Sequence, residues 1–158
     1  MARVLVERAG LDITEARILA SASGGSVSRA LAGARGDLEA DRDAAFGLLD
    51  AARARSVGAR LKAAGALAQH GTKRRDRDAI GARLTMVQSL LRDLTVIGSG
   101  AGASVLSNGD LESELRGLAS AFDAARLSAA YAAVTRAQQD LERSANPKLV
   151  ADWVSVNV

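Results

Sequence analysis

Ile80-Gly81-Ala82-Arg83-Leu84-Thr85-Met86-Val87-Gln88-Ser89-Leu90-Leu91-Arg92-Asp93-Leu94 decides the fold class. Ile80, Leu84, Val87, Leu91 and Leu94 follow one another at spacings of four, three, four and three. At 3.6 residues per turn, that rhythm sets all five on one helix face. Met86, Leu90 and Ile97 widen the face, which predicts a helix buried on much of its circumference. No alternation of period two persists anywhere, so no strand is expected and the chain reads as all-α. No internal repeat at solenoid spacing is present.

Upstream of this helix, Val57, Leu61, Ala64, Leu67 and Ala68 share one helical face. Leu38, Phe46, Leu48, Leu49 and Ala52 mark another helix that runs to about Arg55. Gln69 to Thr72 reads as a loop. Nearer the start, a short helix through Val4, Leu5 and Val6 is stopped by Gly10 in a left-handed cap. Asp12 opens the next helix, and Glu15 completes a capping-box pattern. Gly24-Gly25 break that helix, and Ser26 can cap a third. Gly33 and Gly36 mark a boundary, giving a small helical unit over 1–35 and a larger one over 36–158 with about five helices.

Downstream, Gly98 to Gly102 reads as a flexible loop. Ser107 or Asn108 is placed to cap a helix carrying Leu111, Leu115, Leu118 and Phe122. Asp123 is placed to cap the next, with Leu127, Tyr131, Val134 and Leu141 along it. Asn146-Pro147 pairs an N-cap with a proline at the first helical position, where its missing N–H does no harm. Leu149, Val150, Trp153 and Val154 make the last apolar face.

The composition fits closely packed helices. Hydrophobic residues are 48% of the 158, yet aromatics are only 3%, so Leu, Val, Ile and Ala must build the core. A chain of this length buries about two-thirds of the surface its unfolded form exposes. Cys is absent and His occurs once, at His70, which excludes disulfides, thiolate chemistry and a structural zinc site. The net charge of +3 comes from arginine. It is compatible with nucleic acid nearby but does not require it. No apolar run is long enough to span a bilayer and no secretory h-region opens the chain, so a cytoplasmic protein is expected.

Candidate chemistry is sparse. Gly98-Ser99-Gly100-Ala101-Gly102-Ala103 carries a G-x-G-x-x-A pattern, with Asp123 where a dinucleotide fold would hold a ribose. The helical rhythm running into Leu94 leaves no strand before it, so an inter-helix loop is the better reading. A P-loop needs Gly-Lys followed by Ser or Thr, and the chain has no Gly-Lys. Lys73, Arg74 and Arg75 form the densest basic run and are the candidate nucleic-acid contacts. With Asp76 close by and no interleaved aromatic residue, a solvated helix entry is favoured over a base-reading site. His70 has no partner for base catalysis. Asp41 and Asp43, like Glu112 and Glu114, are two apart and share no helix face. No metal site and no cofactor are expected.

Several short stretches, in order, resemble one family. Ser23-Gly24-Gly25-Ser26-Val27-Ser28-Arg29-Ala30-Leu31 is similar to the sensor-2 stretch on the lid of clamp-loader AAA+ proteins. Leu90-Leu91-Arg92-Asp93-Leu94 resembles a motif of a central collar helix, and Asn108-Gly109-Asp110-Leu111 the turn that follows. Ala145-Asn146-Pro147-Lys148-Leu149 resembles the stretch before the closing collar helix, with Ser144 where the family has Asn. The family is that of the delta-prime subunits of bacterial DNA polymerase III clamp loaders.

The resemblance implies a C-terminal fragment: an AAA+ lid remnant over 1–35, then a helical collar over 36–158. It implies oligomerisation with the gamma/tau and delta subunits, and DNA reached only through the complex that loads the sliding clamp. Arg29 would be the nucleotide-sensing residue, its guanidinium suited to a terminal phosphate. The ATPase-like domain and the arginine-finger motif of the family are missing, so the chain is expected to be no enzyme. Activity would belong to the parent DNA-directed DNA polymerase holoenzyme. A gamma/tau collar and a free-standing helical adaptor unrelated to replication are the alternatives.

Overall fold

The computed structural model describes residues 2–22, 38–54, 56–69, 73–102 and 105–158, and among these every regular element is a helix. In chain order they are α1 (Ala2–Ala9), α2 (Ile13–Ala22), α3 (Leu38–Arg53), α4 (Val57–Ala68), α5 (Lys73–Gly98), a 3-10 turn (Gly109–Leu111), α6 (Glu112–Ala119), α7 (Ala124–Glu142) and α8 (Pro147–Asn157). The larger unit thus has six α-helices among the described residues, where the sequence pattern suggested about five. The all-α expectation holds.

The stretch from Ile80 to Leu94 lies at the centre. Helix α5 has 26 residues, about 39 Å of rise at 1.5 Å each. It packs against α2, α3, α4, α6, α7 and α8. That explains its breadth of burial: Ile80, Leu84, Met86, Val87, Leu90, Leu91 and Leu94 are all shielded from solvent. Alanines at contact points, among them Ala45, Ala52, Ala64, Ala130, Ala137 and Ala151, let the neighbouring helix axes approach. Polar bridges join α5 to α7, from Gln88 to the Thr135 hydroxyl at 3.1 Å and from Gln138 to the Thr85 hydroxyl at 3.3 Å. Leu5 and Ala16 make a small cluster between α1 and α2, and Ile18 of α2 joins the main core.

The helix ends follow local rules. Gly10 closes α1 at φ +66°, its N–H bonding to the carbonyl of Val6. The Asp12 carboxylate accepts from the N–H of Thr14 at the start of α2. Asp123 caps α7 by accepting from the N–H of Arg126, and Asn146 caps α8 by accepting from those of Lys148 and Leu149. Helix α3 stops at Arg53, two residues before the expected end.

Helix α5 ends in a Schellman motif. Gly100 sits at φ +74°, with Gly100 N–H bonded to the Ile97 carbonyl and Ala101 N–H to that of Val96. The expected flexible loop therefore begins as a fixed cap. Helix α7 ends in the same way around Ser144, at φ +69°. Ser144 N–H bonds to the Leu141 carbonyl and Ala145 N–H to that of Asp140.

Candidate functional site

Asp93 is an acidic residue at zero exposure within the longest helix, and its partners explain why it is tolerated. Its Oδ1 accepts from the backbone N–H of Ser107 at 3.0 Å. Its Oδ2 accepts from the backbone N–H and the side-chain amide of Asn108, both at 2.8 Å. Arg92 lies 3.4 Å from Oδ1 and also donates to the Ser107 hydroxyl. The Asn108 amide donates further, to the hydroxyl of Ser89 on α5 at 3.0 Å. Next along the turn, Asp110 accepts from Arg42 of α3 at 2.6 Å.

Two stretches that the sequence offered separately, Leu90 to Leu94 and Asn108 to Leu111, are thus one unit. A carboxylate on α5 pins the turn that launches α6. Both of its oxygens accept from donors within the chain, so the carboxylate holds the turn in place and presents no unoccupied oxygen to a ligand. Asn108 does not cap α6 as its position before the helix suggested. It makes no side-chain cap bond to the following turn; its amide points inward to Asp93 and Ser89. The amide nitrogen gives one hydrogen to the buried carboxylate and one to Ser89, and that orientation leaves Oδ1, the atom that would cap a helix, buried without a partner among the described residues.

Four of the arginines behind the basic balance act on helix carbonyls. Arg83, 3% exposed, donates to the carbonyls of Ala66 and Leu67 at the end of α4 and pairs with Asp41 of α3 at 3.0 Å. Arg77 donates to the carbonyls of Leu141 and Ala145 at the end of α7. Arg126 and Arg60 both donate to the Ala52 carbonyl at the end of α3. Arg60 also reaches the Val156 carbonyl in the last turn of α8, 2.9 Å away. Arg126 lies over the Phe122 ring, 4.4 Å from its centroid. Terminal carbonyls lack intrahelical donors and sit at the negative end of the helix dipole, so a guanidinium satisfies both at once. Sequence reading missed these contacts because Arg77 and Leu141 are 64 residues apart.

Arg29 lies outside the described residues, as does His70. Lys73, Arg74 and Arg75 stand in the first turn of α5; only their backbone is described. The segment Gly98 to Gly102 is a helix C-terminus, where carbonyls are presented. A pyrophosphate needs the N–H groups of an N-terminus, so the dinucleotide reading has no support there. Among the described residues no group of His, Asp and Glu could hold a metal ion. No described helix is long and apolar enough to cross a membrane.

The outer surface is less ordinary. Helices α4 and α8 lie side by side and antiparallel, since Arg60 in the first turn of α4 reaches the last turn of α8. Each presents large apolar side chains to solvent. On α4 these are Val57 and Leu61, 67% and 50% exposed. On α8 they are Leu149, Trp153 and Val156, at 67%, 43% and 54%. Their spacing of four and then three places them on one stripe. The expected apolar face of α8 is therefore two faces: Val150 and Val154 turn inward, Leu149 and Trp153 outward. Tyr131, grouped with Leu127, Val134 and Leu141 along α7, is likewise 47% exposed while those three are buried.

Residues 63–152 match the family described as DNA polymerase III, delta subunit, C terminal. The matched stretch begins within α4, contains the whole of the Asp93 pin, and ends within α8. No curated protein and no solved structure matches the chain.

Proposed function

This chain belongs to the family of C-terminal domains of DNA polymerase III delta subunits, a clamp-loader family, and from that premise we propose that it is the assembly element of a clamp loader. In this reading the helices from α3 to α8 form a collar, and 1–35 are the remnant of an AAA+ lid. The collar docks against the gamma/tau and delta subunits and helps hold a complex that places the sliding clamp on primed DNA. The chain reaches DNA only through that complex, works in the cytoplasm and catalyses nothing itself.

The single observation that carries the reading is the family match over 63–152, more than half of the chain. The internal use of Arg42, Arg60, Arg77, Arg83 and Arg126 supports it further. A protein that bound DNA directly would keep such side chains for phosphates. The finer assignment to the delta-prime subunit rests on the Asn146-Pro147-Lys148-Leu149 tail and on the order of the shorter stretches; Arg29 would then belong to a lid. The test is reconstitution. The purified chain, mixed with the other clamp-loader subunits, is expected to enter a mixed complex on gel filtration. A well-folded chain that elutes alone with every subunit removes the proposal.

A further inference from the structure

We propose that the outer face of the α4–α8 pair is the docking surface of this domain, and that its occupant is an amphipathic helix of another subunit whose apolar stripe is bordered by acidic side chains. The proposal rests on the assembly reading above and adds to it the face and the chemistry of the partner.

Val57, Leu61, Leu149, Trp153 and Val156 define the apolar part of this face. Large side chains with a third or more of their surface in water gain little from the fold. Five on two adjoining helices form the kind of surface that a partner covers. Trp153 is the only tryptophan of the chain, and tryptophan is prominent among residues that dominate interface energetics.

The shape of α4 agrees. Gly58 and Gly65 share the outer side of the helix with Leu61, three and four residues away. Among the described residues a Cβ at Gly65 would meet nothing within 4 Å, so none of them requires glycine there. A glycine in a helix interior costs about 1 kcal/mol relative to alanine. A helix that lies close over α4 would make use of the missing side chain.

Charge specifies the rim of the occupant. Helix α4 carries Arg60 and Lys62 and no acidic residue, and α8 carries Lys148 and Asp152, paired at 3.6 Å. Arg60 is committed to the Ala52 and Val156 carbonyls, so the charges left beside the apolar surface are the exposed Lys62 and the Lys148–Asp152 pair, a net positive balance. A second copy of this chain would bring like charge against like, whereas an acidic-rimmed helix complements it.

The experiment measures affinity by sedimentation velocity for the whole chain with each purified clamp-loader subunit. Leu149→Glu and Val57→Glu replace side chains that are two-thirds exposed, and a glutamate at the first position of α4 suits the helix dipole. Each is expected to weaken binding about 30-fold or more, with an unchanged urea midpoint. Lys62→Glu and Lys148→Glu are expected to weaken binding several-fold, and added salt to weaken it for the wild type. Gly65→Ala is expected to raise the urea midpoint while lowering affinity, a pair of effects that a purely structural role would not produce. Tyr131→Glu, on α7, is expected to bind as the wild type does.

If the wild type binds a subunit and the Leu149 and Val57 variants bind equally well, the face is wrong while the assembly reading stands. If the Lys variants bind unchanged, the acidic partner is wrong. Self-association that Leu149→Glu abolishes would make the occupant a second copy and overturn the proposal. If the wild type binds no subunit, this proposal and the assembly reading fall together.

Discussion

The centre of α5 and the outer face of α4 and α8 break opposite rules. Around Asp93 the molecule buries polar groups; along Leu149, Trp153 and Val156 it exposes apolar ones. The two violations differ in where their compensation lies. Asp93 and Arg83 find hydrogen-bond donors or acceptors within the chain, so the fold accounts for them. The apolar stripe meets no cover from the described residues. A buried polar cluster with internal partners speaks of architecture, and an exposed apolar stripe points to another molecule.

The sharpest way to break this contrast is Asp93→Ala. The substitution strips acceptors from the half-buried N–H of Ser107 and from the fully buried N–H and side-chain amide of Asn108. Each buried donor left unsatisfied costs about 1–3 kcal/mol. A total loss of about 3–5 kcal/mol is expected, a large share of the stability of a typical domain. Urea denaturation followed by circular dichroism reads it directly, and a loss below about 1 kcal/mol would mean that the pin is not holding the turn to α5.

Arg83→Met comes next, at about 3 kcal/mol. It removes the cation beside Asp41 and two donors from the end of α4. Pairing it with Asp41→Leu sharpens the point. A buried ion pair often replaces well by apolar groups, so the double variant is expected to be more stable than Arg83→Met alone. If the two losses simply add, the pair is not coupled and Arg83 acts mainly through the carbonyls of α4.

A smaller effect of opposite sign is expected at Ser144. A residue with a Cβ in the left-handed region costs roughly 1 kcal/mol relative to glycine, and Ser144 stands there at φ +69°. Ser144→Gly keeps the Schellman geometry at the end of α7 and is expected to raise stability by about 0.5–1 kcal/mol. A thermal melt resolves a change of that size, and a drop in midpoint would show that the serine side chain contributes there.

What the sequence made legible divides along the same line. The rhythm from Ile80 to Leu94 was readable because one helix is surrounded by core, and burial imposes the period directly. Gly10, Asp123 and Asn146 were readable because a cap is a contact with residues two to four positions away. Asn108 was misread because its decisive partner, Asp93, is 15 residues back, and short-range pattern favours the nearer helix start. The arginine contacts to α4 and α7 were invisible for the same reason. Leu149 and Trp153 fall into one apolar face with Val150 and Val154 because periodicity says which residues share a side, but not what lies beyond it.

The smallest expected effect carries the other half of the comparison. Leu149→Gln is expected to change folding stability by no more than about 0.5 kcal/mol, because surface substitutions away from caps and buried networks rarely do more. Its neighbour Val150, 6% exposed, offers the contrast within one helix turn. Val150→Gln forces a longer polar side chain into the packed interior and is expected to cost several times as much. A Leu149 substitution as costly as the Val150 one would mean that Leu149 is covered by the chain itself. The stripe would then belong to the fold, and the contrast between a self-sufficient interior and an exterior awaiting a partner would collapse.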